Sequence, residues 1–192
     1  MSSYQFFNRR IINENSRFFI CYDSIRCVDG TCLDDYLIIK PKISHEDSIV
    51  GICILPFLDN QFVLMKGWRH QLNVDVWQAP AGFVEAAETP LKCAQRELYE
   101  ETGLYCSESD IISLGSYLPD AGLIEGRVAL YLATRCVVNQ PCHPNEVGTG
   151  HLHYFSTSSL FSLLTSSSNV GGSTLQVSLR SLNFLKQLSF TN

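Results

Sequence analysis

Apolar and polar positions recur with different periods along the chain, and each change of period marks an element. Residues 17–40 hold two β-rich stretches, RFFICYDSIRCV and LDDYLIIK, with Asp29-Gly30 as turn chemistry between them. A hairpin is expected there. Pro41 to Asp47 is a polar connector, and SIVGICILPF is an unbroken apolar run, the pattern of a strand buried on both faces. Leu58-Asp59-Asn60-Gln61 turns the chain, and FVLMKGW returns as a second strand. From Pro90 to Glu101 the period becomes helical. Thr89 can cap that helix through its hydroxyl, Pro90 suits a first position that needs no N–H, and Gly103 ends it. Two more strands follow, IISLGSYL and RVALYLATRCVV, then a polar loop, NQPCHPNEVGTG, and a short strand, HLHYF. Helices are expected from Ser158 to Leu164 and from Leu175 to Leu188. In the second, Leu175, Leu179, Leu182, Phe184, Leu185 and Leu188 form a broad apolar stripe. The intervening SSSNVGG is rich in Ser and Gly and reads as a mobile linker.

The order strands, helix, strands, helix predicts an α/β fold with a mixed sheet flanked by helices. The first hairpin is separable, which divides the chain into an N-terminal β subdomain, 1–46, and a main domain, 47–192. At 192 residues that is one domain with an appendage. The net charge is −5 and Lys and Arg never form a run, which argues against a nucleic-acid groove and against a polybasic membrane patch. No stretch approaches 18 consecutive apolar residues, and the first residues lack the apolar region of a secretory signal. The eight Cys are scattered with no CxxC pair. They read as reduced, mostly buried thiols, and a cytoplasmic location is expected.

The chemistry-bearing residues concentrate in the helix after Pro90. At 3.6 residues per turn, Glu101 lies about 40° from Glu97 and Glu100 about 60° to its other side. Ala94, Leu98 and Leu91 form the apolar stripe beside them. Like charges at these spacings repel, and the helix C-terminus disfavours anions. Helix stability does not account for the arrangement. A hard divalent cation would, because Mg²⁺ is commonly held by one or two carboxylates together with substrate phosphates. A solvated acidic face is the alternative.

The spacing around these carboxylates is specific. Gly82 is followed after five residues by Glu88, after seven more by Arg96-Glu97-Leu98, then by Glu100-Glu101 and Gly103-Leu104. This resembles the Nudix box, G-x5-E-x7-R-E-U-x-E-E-x-G-U with U apolar, at every defined position. The resemblance implies an α/β/α sandwich and a Mg²⁺- or Mn²⁺-dependent hydrolase that cleaves a phosphoanhydride in a nucleoside diphosphate linked to another group. It makes Glu97 and Glu101 the main metal ligands, with Glu100 nearby as a ligand or water-orienting group, together with the backbone carbonyl of Ala81. Gly82 would give the loop its close turn, and Arg96 and Glu88 would orient the carboxylates as an ion pair.

The flanking stretch KGWRHQLNVDVWQAPAGFVE narrows the resemblance. Its Arg and its Trp-x-x-Pro-Ala-Gly are similar to a segment of ADP-ribose and related nucleotide-sugar pyrophosphatases. In that branch the N-terminal hairpin often swaps across a homodimer. ADP-ribose is the favoured substrate. GDP-mannose, a dinucleotide, a nucleoside triphosphate and a non-catalytic nucleotide-sensing role are the alternatives. The chain departs from the pattern at Gln78, where the branch carries Glu, and at Ala79, where it carries a larger apolar residue. Arg69 reads as a fork for a phosphate or the terminal ribose, or as a surface Arg closing a turn. Trp68 and Trp77 read as base-stacking or packing residues. Pro119 reads as a substrate contact or an ordinary turn. Glu146, the one acid of the loop before HLHYF, with Gly148 and Gly150 near it, is the candidate catalytic base, and Glu100 is the next candidate. Cys142, His143, His151 and His153 match no standard zinc spacing.

Overall fold

A computed structural model describes residues 4–139 and 150–190. The expected hairpin is β2 (Phe18–Arg26) and β3 (Cys32–Pro41), and β1 (Gln5–Glu14) adds a third antiparallel strand in the order β1-β2-β3. Gly30 has φ 87°, a left-handed turn position that glycine adopts without strain, and the Thr31 N–H donates to the Asp29 carboxylate at 2.9 Å. The sequence pattern did not predict β1. Irregular pairing between Phe6 and Asn8 and between Ile11 and Asn13 breaks the period of two by which a strand is read.

The second sheet has seven strands: β4 (Ile49–Leu58), β5 (Gln61–Arg69), β6 (Val74–Gln78), β7 (Ala81–Phe83), β9 (Ile111–Tyr117), β10 (Arg127–Ala133) and β12 (His151–Phe155). Its path is β12-β5-β4-β10-β9, with β6 beside β5 and β7 beside β4; β4 and β10 run parallel and the other pairs antiparallel. A small ladder joins β8 (Leu104–Tyr105) to β11 (Val137–Val138). The run expected as one strand, RVALYLATRCVV, therefore splits into β10 and β11.

The helices are α1 (Pro90–Thr102), α2 (Thr157–Ser166) and α3 (Gly172–Phe190). β4 shows why the chain builds a sandwich. Ile52 and Ile54 face one layer with Cys93, Ala94 and Leu98 of α1. Cys53 and Leu55 face the other with Leu160, Leu164 and Val177 of α2 and α3. All are essentially out of water, at about 1.5–3 kcal/mol for each large aliphatic side chain. This is the α/β/α sandwich with a mixed sheet that the sequence predicts.

The N-terminal sheet is fastened to the loop between β9 and β10. The Ile39 N–H donates to the Leu123 carbonyl at 2.8 Å, and the Glu125 N–H to the Ile39 carbonyl at 3.0 Å. Arg9 grips the buried Asp23 with two donors, at 2.7 and 2.8 Å, and also reaches Glu125. Phe18 packs edge-on to Phe83 of β7 at 5.4 Å, and Arg17 lies over the same ring at 5.1 Å.

Two expectations at the C-terminal end change. SSSNVGG is pinned rather than free: the Trp77 N–H donates to the Asn169 carbonyl at 2.9 Å and the Gly171 N–H to the Trp77 carbonyl at 3.0 Å. The buried side of α3 is also polar and small. Thr174, Ser178 and Ser181 are buried with Val177, whereas Leu179 is 42% exposed. Leu175, Leu182, Phe184 and Leu185 pack at the margins, and the side chain of Leu188 lies outside the described residues. Small residues let the helix lie close to the sheet, so its contact face does not follow the large aliphatic positions. Among the described residues the Ser178 and Ser181 hydroxyls find no hydrogen-bond partner. An unsatisfied buried hydroxyl costs stability, so Ser178→Ala and Ser181→Ala are expected to melt at the same or a higher temperature, with gains up to about 1 kcal/mol. A loss of that size in urea or thermal unfolding would contradict the assignment.

Candidate active site

α1 begins and ends as its sequence requires. The Thr89 hydroxyl accepts from the Lys92 N–H at 3.3 Å, and Gly103, at φ 71°, returns its N–H to the Tyr99 carbonyl at 2.8 Å. The acidic face is not a solvated one. Glu97 and Glu101 are only 7% and 8% exposed, while the Glu100 side chain is 48% exposed. The two inward carboxylates lie against β7. The Ala81 N–H donates to Glu101 at 3.1 Å. Gly82 makes no turn, contrary to expectation, because it is a strand residue outside the left-handed region. It serves as a clearance: a Cβ there would fall 1.9 Å from Glu97 Oε1.

Arg96 holds the cluster together. Its Nη1 donates to Glu97 at 2.7 Å and to Glu100 at 3.0 Å, and its Nη2 to Glu88 at 2.7 Å and to the Phe83 carbonyl at 3.3 Å. The hydrogen bonds from Arg96 draw the Glu88 carboxyl below the ordinary glutamate range. Glu88 also accepts from the Glu85 N–H at 3.0 Å, which closes the loop ahead of the helix. The expected Arg96–Glu88 pair is present. The repulsion expected among the carboxylates is offset by the same guanidinium.

Among the described residues no group of three or more His, Cys, Asp or Glu is gathered closely enough to form a metal cage. Glu97 and Glu100 are drawn to Arg96, and Glu101 to the backbone of β7. The donor set is nonetheless all hard oxygen, and Mg²⁺ needs only one or two carboxylates when substrate phosphates complete its shell, so these residues fit Mg²⁺ or Mn²⁺. Of the rejected zinc set, Cys142 and His143 lie outside the described residues. The His153 ring packs edge-on to Trp77 at 4.9 Å.

Two cavities flank the Ala81–Gly82 strand and share Ala81 and Ser173 as walls. One, about 110 Å³, is lined by Arg69, Gln78, Glu101 and Thr174, and Arg69 Nη2 donates to Gln78 Oε1 across it. The other, about 250 Å³, is apolar and lies between Phe18, Phe83 and Pro119. The structure thus brings Arg69 and Pro119 to either side of the Ala81–Gly82 strand, with Glu101 at the wall of the Arg69 cavity. It does not bring the tryptophans there. The Trp77 ring is occupied by His153 and by Phe155 at 5.4 Å, and Trp68 is 47% exposed beside His70; neither lines these cavities. Glu146 and Gly148 lie outside the described residues. The sequence reading missed the start of α3. Thr174 accepts from the Ala79 N–H at 2.9 Å, and the Ser173 and Tyr117 hydroxyls are 2.5 Å apart. Ser and Thr just inside a helix, after Gly171-Gly172, were the available signal.

Residues 47–162 match the family model for the NUDIX domain. The chain belongs to the Nudix family. Among relatives of this Nudix chain, the mRNA decapping complex subunit 2 of Schizosaccharomyces pombe is 38% identical over 80 residues, 42% of this chain and 10% of that protein. An RNA pyrophosphohydrolase of Halorhodospira halophila is 47% identical over 49 residues, 26% of each chain. The methanol dehydrogenase activator of Bacillus methanolicus is 30% identical over 91 residues, 47% of each. The chain thus spans less than half the length of these relatives. The fold is shared more widely: the crystal structure of an ADP compounds hydrolase superposes with a TM-score of 0.80 over 98% of this chain and 97% of its own, at 13% identity. No helix among the described residues is long and apolar enough to cross a membrane.

The Gly82 clearance gives a direct test. Gly82→Ala should fold, because the atoms nearest the intruding methyl belong to the Glu97 carboxylate, the end of a flexible side chain. It should displace that carboxylate from β7 and weaken Mn²⁺ binding by about tenfold or more, the scale of losing one support of a metal ligand. Unchanged Mn²⁺ affinity by paramagnetic resonance would count against Glu97 as a ligand.

Proposed function

We propose that this Nudix chain is a divalent-metal-dependent pyrophosphohydrolase that opens the diphosphate of a nucleoside diphosphate linked to a sugar, with ADP-ribose favoured. The products are a nucleoside monophosphate and a sugar phosphate. The observation that carries the reading is the pair of nearly buried glutamates, Glu97 and Glu101, set against β7 with a guanidinium-lined cavity beside them. Buried anions at a cavity wall are suited to meet cations, and cations are what a diphosphate requires.

Glu97, Glu100, Glu101 and the Ala81 carbonyl would hold Mg²⁺ or Mn²⁺, which when bound neutralises the diphosphate and makes a coordinated water a better nucleophile. Arg96 keeps Glu97 and Glu100 pointed to one side of the helix, and Glu88 fixes Arg96 in turn. Arg69 offers a fork for a phosphate oxygen. The apolar slot between Phe18, Phe83 and Pro119 suits the flat face of a base or sugar. The proton of the attacking water goes to Glu146 or, failing that, to Glu100, which is the exposed member of the helix cluster. The net charge of −5 and the lack of a basic run favour a small nucleotide over an RNA chain.

We also propose that residues 1–46 form a subdomain through which two copies of the chain pair. Phe6, Phe7, Ile11, Tyr36 and Leu37 are exposed on the N-terminal sheet, an unusual apolar concentration for a surface. Light scattering is expected to give a dimer, and Phe6→Asp with Ile11→Asp a monomer. A monomeric wild-type protein would refute the pairing.

The test of activity is turnover of ADP-ribose, GDP-mannose, NADH, nucleoside triphosphates and a triphosphorylated RNA, each with Mg²⁺ and with EDTA. Metal-dependent AMP release from ADP-ribose is expected to exceed the rest, and Glu101→Gln to lower it by at least about a hundredfold. Preference for another diphosphate would move the substrate. Silence on every compound would remove the hydrolase reading and leave a nucleotide sensor.

A further inference from the structure

The small cavity beside Glu101 contains a feature that the proposed chemistry does not need and that its charge balance explains. Gln78 closes β6 and is nearly buried, yet its side chain reaches Arg69 rather than packing as an aliphatic residue would. A carboxamide oxygen accepts a guanidinium hydrogen bond much as a carboxylate does, but without charge. Among the described residues that line the cavity, Arg69 and Glu101 are the charged ones, so the formal lining charge is +1 − 1 = 0. A carboxylate at position 78 would make it −1 and would pair with Arg69 as a salt bridge. The guanidinium would be held as well or better, but its charge would be spent within the protein.

We propose that Gln78 is a positioning residue: it fixes Arg69 at the wall of this cavity while leaving its positive charge for an anionic oxygen of the bound nucleoside diphosphate. This rests on the pyrophosphohydrolase reading and narrows it. The cavity takes a phosphate group, and the apolar slot across Ala81 and Ser173 takes the less polar end of the same molecule. A purely structural Gln78 makes the opposite prediction, since replacing its amide by a carboxylate would strengthen the contact with Arg69 and leave ligand affinity alone.

The experiment is calorimetric titration of ADP, in Mg²⁺ buffer, into wild-type protein, Gln78→Glu, Arg69→Ala and the double variant, with melting temperatures for each. Gln78→Glu is expected to keep its melting temperature and lose about tenfold in ADP affinity, with a flatter dependence of affinity on salt. In the Arg69→Ala background the same change should add less than about twofold, because it acts through Arg69. With a turned-over substrate, KM should rise by more than kcat falls. Gln78→Glu binding ADP as tightly as wild type would overturn the inference, and so would an equal loss in the absence of Arg69. If Gln78→Glu does not fold, Gln78→Leu replaces it: weaker ADP binding supports the assignment and unchanged binding overturns it. Wild-type binding of ADP without turnover of any diphosphate would remove the hydrolase reading and leave this one standing. No binding of ADP at all would remove both.

Discussion

Two glutamate carboxylates held almost out of water on the side of one helix dictate much of what surrounds them. A desolvated anion costs several kcal/mol unless charge or hydrogen bonds replace its water. Arg96 supplies a charge to Glu97, and the backbone of β7 supplies an N–H to Glu101. The strand can come this near because Gly82 has no Cβ, and it stays there because β7 is laddered to the central β4. The apolar face of α1 supplies the opposing force, with Ala94 and Leu98 fully buried against the sheet. Hydrophobic burial thus presses the acidic edge of the same helix onto a strand that can tolerate it.

The remaining elements frame that edge. The N-terminal sheet is laced to the β9–β10 loop through Ile39 and through Arg9, which sets Phe18 against Phe83 and Pro119. On the other side the first turn of α3 and the segment leading into it are tied to β6 and to the residue after it, by Thr174 to Ala79 and by Asn169 and Gly171 to Trp77. One flank is apolar and aromatic; the other is small, polar and cationic. A ligand spanning both would be amphipathic, with its charge at one end.

Much of this was readable from residues alone, for reasons that can be stated. The unbroken run of β4 marks a strand covered on both faces. Thr89, Pro90 and Gly103 are local signals, each acting within one turn of the helix, and they bound α1 to within a residue. The box spacing survives because it is a constraint on one contiguous segment. What failed depends on contacts distant in sequence or on exceptions to a period. β1 was hidden by its irregular register. The buried serines of α3 reverse the usual inference from side-chain hydrophobicity, since closeness of approach matters more there than area. Gly82 was read as a turn because glycine usually signals backbone freedom, whereas here it signals lack of volume. Trp77, open to base stacking or to packing from its sequence, packs against His153 and Phe155 from β12, a strand far along the chain. Gln95 of α1, whose amide donates to the Cys106 carbonyl at 2.8 Å, likewise braces the exit of the helix in a way that no spacing announces.

The bond between the Ala79 N–H and the Thr174 hydroxyl spans 95 positions of chain. During synthesis the acidic helix leaves the ribosome well before the segment that braces the adjacent strand exists. Closing so long a loop is entropically slow, and contacts of this separation form late in folding. The carboxylates, their strand and Arg69 can assemble early, from residues near one another in sequence, but the small polar wall of Ser173 and Thr174 waits for α3. A nascent or partly folded chain would therefore carry the opposed charges, Arg69 and the buried glutamates, before the wall that closes the cavity around them exists.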